Sequence, residues 1–401
     1  MNEKLPYWTD PHTTSFKVFI KEVKKLKNQY QVHLRENVIR PAGGGQAGDK
    51  GVLTVGTLQV SIHDTVIDSG KVVLLTDCSI PEEREGQLDI DIEWRTSMMK
   101  NHTSEHIFVS TLKEKYPELK IGDLWIDGEH VNIELLNVNV SSEDLIVAER
   151  DVQRIINLDI PVQSQIVGVD KIDPSIRARE GLTAKHEKLR IVKVGDLDSS
   201  ACSGIHVENT GQIWFFKVVD VKYTNGSTRI RFVTGSRAIS LTKELYNTVL
   251  HRKHTYPFEM EQIGAVLDRA KAAIEDRFQM IEKISQLITT SGYVDKIGDV
   301  VFRHEYLQGF ESINLKNLAN QFSTSETSVL LLFAPGRKSQ IIFRSFHTPN
   351  DANYYISSAV EKQGGKGGGS SDNFTGGFTN VENPEELYEI LVSSVREALT
   401  Q

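Results

Sequence analysis

Two pairs of metal-ligating side chains stand about a hundred positions apart in this chain, His102 with His106 and Cys202 with His206. Three residues separate the members of each pair. In SMMKNHTSEHIFVSTLKEKY the apolar residues Met98, Met99, Ile107, Val109 and Leu112 fall at helical spacing. That predicts a helix from about Thr96 to Tyr116 with both imidazoles on one face. The second pair lies in SACSGIHVENTG, a polar, glycine-containing turn. Three imidazoles and one thiolate are borderline-soft donors that suit zinc. If one ion takes all four, a helix and a turn far apart in sequence must meet. Cys78, in the apolar run LLTDCSI, reads instead as a buried structural thiol. Four protein ligands normally mark a closed structural site, because catalytic zinc keeps a position open. Three arrangements stay available: a loose ligand, an expanded coordination shell, or an ion that orients substrate while a separate water attacks.

The sequence around these pairs reads as α+β. SFKVFIKEV, YQVHLREN, GVLTVGTLQVSIHD and GKVVLLTD are short Val-, Ile- and Thr-rich runs that predict a small β-barrel or sandwich. Between the second and third sits PAGGGQAGDKG, a loop that either approaches something closely or simply turns a corner. Beyond the first His pair, LWIDGEHVNIELLNV reads as strands, and SSEDLIVAERDVQRIINL as a helix capped by Ser141 or Ser142. A charged helix from Pro257 to Thr290 keeps Ile263, Val266, Leu267, Ala270, Ile274, Phe278, Ile281, Ile284 and Ile288 to one face. Such a stripe docks on a neighbour or pairs two chains. VVFRHEYL, SVLLLFAP and SQIIFRSF then read as buried strands separated by helices. The expected organisation is a β-barrel over 1–92, a zinc-binding α+β domain over 93–253, a helical spacer over 254–292, and an α/β domain with a glycine motif over 293–401.

No apolar run approaches the ~20 residues that span a bilayer, and MNEKLPYWTDPH lacks the apolar stretch of a secretory signal. Two cysteines in 401 residues exclude a disulfide framework and fit a reducing compartment. A cytoplasmic protein with no membrane partner is expected. The net charge of -8 weighs mildly against nucleic acid, since phosphate binding rests on Lys and Arg. Local basic groups nonetheless occur at Lys21, Lys24, Lys25 and Lys27, at Arg177, Arg179, Lys185, Lys188 and Arg190, and at Arg229, Arg231 and Arg237. Each is either a solvated face or an RNA contact.

NHTSEHIF and ACSGIHVENTGQI together resemble the two metal-binding motifs of the editing domain of alanyl-tRNA synthetases and of free-standing AlaX-type editing proteins. LPYWTDPHTTSF resembles that family's opening segment, PAGGGQAGDKG its glycine-rich loop, and RIRFVTGSRAI its strand after the second motif. QGGKGGGSSDNFTGGF resembles the glycine motif of the domain that follows, also found in DHH-type phosphoesterases. The resemblance spans nearly the whole chain, in the family's order.

It implies an ATP-independent hydrolase that deacylates alanine tRNA mischarged with serine (or glycine), with zinc on His102, His106, Cys202 and His206. It also implies a pocket bordered by Gly43, Gly44, Gly45 and Gln46, with Gln46 and Thr103 as the catalytic candidates. The second motif usually reads Cys-Gly-Gly-Thr-His, whereas Ser203 and Ile205 stand here, so Ile205 is expected to alter the substrate pocket. No segment resembles an aminoacylation domain, so tRNA charging is not expected. In the C-terminal domain Arg337, Lys338, Lys362 and Lys366 are candidates for phosphate, and Phe374 or Phe378 for base stacking; the spacer suggests a homodimer. The competing readings are a non-catalytic zinc-containing tRNA- or RNA-binding protein, and a nucleotide phosphoesterase. The latter lacks an evident carboxylate-rich metal motif.

Overall fold

Six strands with alternating apolar residues close on themselves at the start of the chain. They are β1 (Ser15–Lys25), β2 (Tyr30–Leu34), β3 (Gly51–Val55), β4 (Leu58–Asp68), β5 (Lys71–Thr76) and β6 (Arg84–Ile90), in the order β1-β2-β5-β4-β3-β6. Val18, Ile20, Val32, Leu53, Ile62, Leu74 and Leu88 fill the interior, and closure leaves no edge unpaired. β5 stops at Thr76, so Cys78 falls in the bend that follows and is exposed. The buried thiol expected from LLTDCSI is therefore not found.

The computed structural model describes residues 5–173, 176–177, 187–253, 258–322, 327–346 and 351–400. They divide into two units, Met1–His254 and Thr255–Gln401. A short helix α1 (Pro6–Thr9) precedes the barrel, and α2 (Ile92–Lys115) follows it. α2 begins four residues before Thr96 because the Asp91 carboxylate caps it, accepting the Trp94 N–H at 3.0 Å. Met98, Met99, Ile107, Val109 and Leu112 are all buried, but on more than one side of the helix. A helix apolar all round belongs in a core.

α2 packs against a sheet ordered β12-β13-β8-β7 and against α3 (Ser142–Asn157), which Ser141 caps. The strands are β7 (Lys120–Ile126), β8 (Val131–Leu136), β12 (Phe216–Thr224) and β13 (Ser227–Thr234). A three-stranded sheet of β9 (Val162–Gly168), β10 (Lys188–Val194) and β11 (Asp198–Ala201) carries the second motif at its end. α4 (Gly235–Arg252) completes this unit.

The second unit opens on α5 (Ile263–Ser291). Its apolar stripe is divided: Ile281 and Ile288 pack on the core below, whereas Leu267, Ile274 and Phe278 are exposed. Pro257, the expected start of this helix, lies outside the described residues. Six strands follow, β14 (Tyr293–Ile297), β15 (Val300–Tyr306), β16 (Val329–Ala334), β17 (Lys338–Ser345), β18 (Lys366–Gly369) and β19 (Asn373–Thr379), ordered β14-β15-β16-β17-β19-β18. α6 (Ser312–Ala319), α7 (Ala352–Lys362) and α8 (Pro384–Thr400) cover the sheet. The sequence suggested α/β, yet among the described strands of this unit only β15 and β16 pair in parallel. Parallel pairing needs a crossover between neighbours, and only the link through α6 joins adjacent strands that way. Phe374 and Phe378 do not present faces for stacking. They are 1% and 2% exposed, and Gly367 and Gly365 lie so close that a Cβ would meet Phe374 Cζ at 2.5 Å and Phe378 Cε1 at 2.4 Å.

Candidate metal centre

The centre forms where α2 meets the turn after β11. Cys202 Sγ stands 3.3 Å from Nε2 of both His102 and His206. All four donor atoms, His106 included, lie within 4.8 Å of one another. Donors sharing one tetrahedral zinc at bond lengths of ~2.0–2.3 Å stand roughly 3.3–3.6 Å apart, so a small contraction suffices to close the set. The residues fit such an ion in chemistry as well. Burial works against a thiolate at Cys202, but the imidazoles of His102 and His206 outweigh it and hold the thiol well below its usual range. Burial, and then the neighbouring His102, pushes His206 well below the usual imidazole range. Thiolate and neutral imidazole are the forms that bind metal.

The outer partners orient the rings. Thr103 Oγ1 donates to the Met99 carbonyl at 3.0 Å and accepts from the Val207 N–H at 3.2 Å. Its one proton is committed, so toward His206 Nδ1, at 3.2 Å, it acts as acceptor. His206 then carries its proton on Nδ1 and frees Nε2. Asp198 Oδ2 accepts from His106 Nδ1 at 2.7 Å. Burial opposes charge on His106, but the bonds to Asp198 and Cys202 prevail and lift its pKa to about 9, so a metal would have to displace a proton from this ring. Burial likewise opposes the Asp198 carboxylate, and the bond from His106 brings it below its ordinary value. His102 Nδ1 is buried without a partner among the described residues. Gly204 lies against that ring, where a Cβ would meet His102 Cε1 at 2.1 Å.

The glycine loop borders this ground. Gly43 N–H donates to Gln46 O at 2.9 Å and Gln46 N–H to Gly43 O at 3.2 Å, with φ of +64° and +84° at Gly44 and Gly45. Two positive φ values make a type I′ turn, which only residues like glycine adopt freely. Gly44 faces the centre, and a Cβ there would meet Ser203 Oγ at 2.9 Å. Gln46 is fully buried: its amide donates to Met98 O at 3.3 Å and accepts from the Ile205 N–H at 3.1 Å. The Ile205 side chain packs in the core, 1% exposed. Buried Arg40, which sequence reasoning missed, clamps the turn through Gly43 O at 2.9 Å and Ala47 O.

A cleft of about 840 Å³ opens onto His102, His106 and Cys202. Trp8, Gly44 and Ser203 stand at one side of it, and Leu119, Ile121, Leu124, Leu136 and Leu189 give it apolar wall. Among the described residues its charged lining is one carboxylate, Glu105, against Lys113, Lys120, Arg177, Lys188 and Arg190. A chain of net charge -8 thus concentrates cations at one place. Two of them turn inward. Arg177 donates to Glu105, and Arg190 to the carbonyls of Cys202 and Gly204. Arg179 and Lys185 lie outside the described residues, while Arg229 and Arg237 pair with Glu134 and Glu129. Glu105 and Gly204 were within the quoted motifs, and Asp198 and Ser200 alternate toward Cys202 at strand spacing; Arg177 left no such trace.

The described residues thus join a closed six-stranded barrel to an α+β module that holds a His/Cys tetrad. The family described as "Threonyl and Alanyl tRNA synthetase second additional domain" matches residues 189–233, a span that contains Cys202 and His206. The alanyl-tRNA editing protein AlaX-L of Pyrococcus horikoshii is 30% identical over 98% of this chain and 98% of its own length. The chain belongs to that AlaX-type editing family. The alanine–tRNA ligase of Methanoregula boonei is 26% identical over 94% of this chain, which spans 42% of that enzyme. The C-Ala domain of Aquifex aeolicus alanyl-tRNA synthetase aligns with 27% of this chain at 20% identity, covering 99% of that domain, with a TM-score of 0.24 that carries no conclusion about the fold. Among the described residues no helix is long and apolar enough to cross a membrane.

Proposed function

We propose that this chain hydrolyses the ester of alanine tRNA mischarged with serine, in trans and at a zinc centre. The supporting observation is the tetrad opening onto a cleft whose lining is cationic in an otherwise acidic chain. Zinc, when bound, supplies a Lewis acid for an ester oxygen or an amine. The remaining work belongs to the protein. Lys113 and Lys188 meet phosphates of the incoming 3′ end, which makes binding fall as salt rises. Gly44 lets the substrate approach its backbone closely. Ser203, exposed beside Cys202, offers a hydroxyl to a serine side chain, and its loss would leave that polar group unmatched. Thr103 and Gln46 act by holding His206 and the second motif in place. A cytoplasmic protein fits this substrate. The exposed Leu267, Ile274 and Phe278 of α5 support a homodimer, which light scattering showing only monomer at high micromolar concentration would remove.

The deciding experiment is deacylation of Ser-tRNA(Ala), with Gly-tRNA(Ala) and Ala-tRNA(Ala) alongside and zinc content measured on the same sample. Loss of serine with alanine spared supports the reading. Zinc and tRNA bound with no ester lost would replace it with the non-catalytic RNA-binding reading that four protein ligands suggest.

A further inference from the structure

His106 sits between two carboxylates, one at each ring nitrogen. Asp198 takes Nδ1 at 2.7 Å. Glu105 Oε2 lies 3.8 Å from Nε2, the nitrogen turned toward the tetrad. Two donors on one zinc stand roughly 3.3–3.6 Å apart, so this oxygen lies slightly farther from His106 Nε2 than a fellow ligand would. Carboxylate oxygen is an ordinary zinc ligand, and Glu105 is only 2% exposed. A buried carboxylate needs a partner.

Arg177 supplies that partner. Its Nη1 donates to Glu105 Oε1 at 3.1 Å, while its Nε donates to Ser200 Oγ at 2.8 Å and lies 3.6 Å from Asp198 Oδ1. The Ser200 hydroxyl donates in turn to Asp198 Oδ2 at 2.7 Å. The backbone of Arg177 is stitched to β11, its N–H donating to Ser199 O at 3.0 Å and its carbonyl accepting from Ala201 N–H at 2.8 Å. One guanidinium, fixed to the strand that leads into Cys202, therefore restrains both carboxylates that flank His106.

We infer that Arg177 is a positioning residue that keeps the Glu105 carboxylate out of the metal's coordination shell. The inference rests on the metal reading above. A dication with one thiolate keeps a net positive charge toward the cleft. Adding the Glu105 carboxylate would cancel that charge. Without the guanidinium, the metal is the strongest counter-charge within reach of the buried Glu105. Lys113 is the competing cation in the cleft.

The test uses the full chain loaded with Co²⁺, and with Zn²⁺ for X-ray absorption. In Arg177→Met the visible bands of four-coordinate cobalt should lose intensity as a fifth ligand enters, and the zinc spectrum should gain an oxygen neighbour. Deacylation should fall by about 10- to 100-fold, the usual effect of disturbing an outer partner. Adding Glu105→Gln should return the four-coordinate spectrum, and Arg177→Lys should preserve it. An unchanged cobalt spectrum in folded, fully loaded Arg177→Met overturns the inference, with Lys113 then the group that holds Glu105. Should Arg177→Met not fold, Glu105→Gln alone decides. An unchanged spectrum supports Glu105 outside the shell, and an altered one shows it already bound and overturns the inference. Spectra that behave as described in a chain inactive on Ser-tRNA(Ala) would sink the catalytic reading and leave this one standing. A chain that takes up neither metal ends both.

Discussion

The amide of Gln46 ties the glycine loop to both metal motifs at once, accepting from the Ile205 N–H at 3.1 Å and donating to Met98 O at 3.3 Å. Both bonds are buried, and each group left unmatched in such a place costs ~1–3 kcal/mol. Gln46→Glu is the sharper test, because it sets a carboxylate oxygen against the Met98 carbonyl. Chemical denaturation should find it less stable than Gln46→Met, and zinc content should drop in both. Equal stability of the glutamate variant and the parent would remove this role.

Gly204 should accept no side chain. A Cβ there would stand 2.1 Å from His102 Cε1 and 2.9 Å from Gln46 Oε1, and among the described residues His102 Nδ1 has no partner to resist displacement. Gly204→Ala is expected to weaken zinc binding by about tenfold or more, as disturbing the surroundings of a metal ligand does. Competition against a chromophoric chelator reads this directly, and wild-type affinity would refute it.

Arg95 and Asp49 form an ion pair with no exposure on either side chain. The same guanidinium donates to Pro11 O and Thr13 O, both at 3.2 Å, so it joins α2 to the N-terminal segment and to the end of the glycine loop. Breaking one side of such a pair leaves a buried charge unmatched, at ~3–5 kcal/mol. Arg95→Met should lower the unfolding midpoint markedly, with Asp49→Asn/Arg95→Met less harmful than the sum of the singles.

Asp144 carries an acid-dependent share of stability. Lys115 first, and Tyr116 next, draw its carboxyl from 3.8 down to about 2. A depressed carboxyl stabilises the fold above its unfolded value and loses that effect as pH falls through the folded one. Asp144→Asn should therefore be less stable than the parent near neutrality, and the difference should vanish by about pH 2. Acid titration followed by circular dichroism checks it; a difference that persists there would count against the assignment.

Much of the architecture could be read from pattern. The barrel strands alternate, and Ser141 marks a helix start where one occurs. The four donors needed only their spacing and residue types to be picked out. What pattern could not give was direction. Thr103 and Ile205 sit inside the motifs, yet their side chains turn into packed protein: Thr103 because α2 is buried on several sides, Ile205 because the turn folds its side chain into the core. The aromatic rings of Phe374 and Phe378 looked available until the glycines beside them proved to be the surface they rest on. Arg177 was counted with a basic group, and nothing in its neighbours' identities says that it pairs with Glu105, 72 positions earlier. Long-range partners of a single charge leave no local period to detect.

The two halves of the tetrad leave the ribosome at different times. At ~5–20 residues per second, roughly 5–20 s separate the appearance of His106 from that of Cys202. Through that interval the turn that carries Cys202 and His206 has not been made, and β13, which packs on α2, follows later still. An ion offered then meets an incomplete pair of imidazoles, so stable loading must wait until His206 has emerged. A metal held by all four donors would therefore be captured late in synthesis, and its capture would report that α2 and the second motif have already come together.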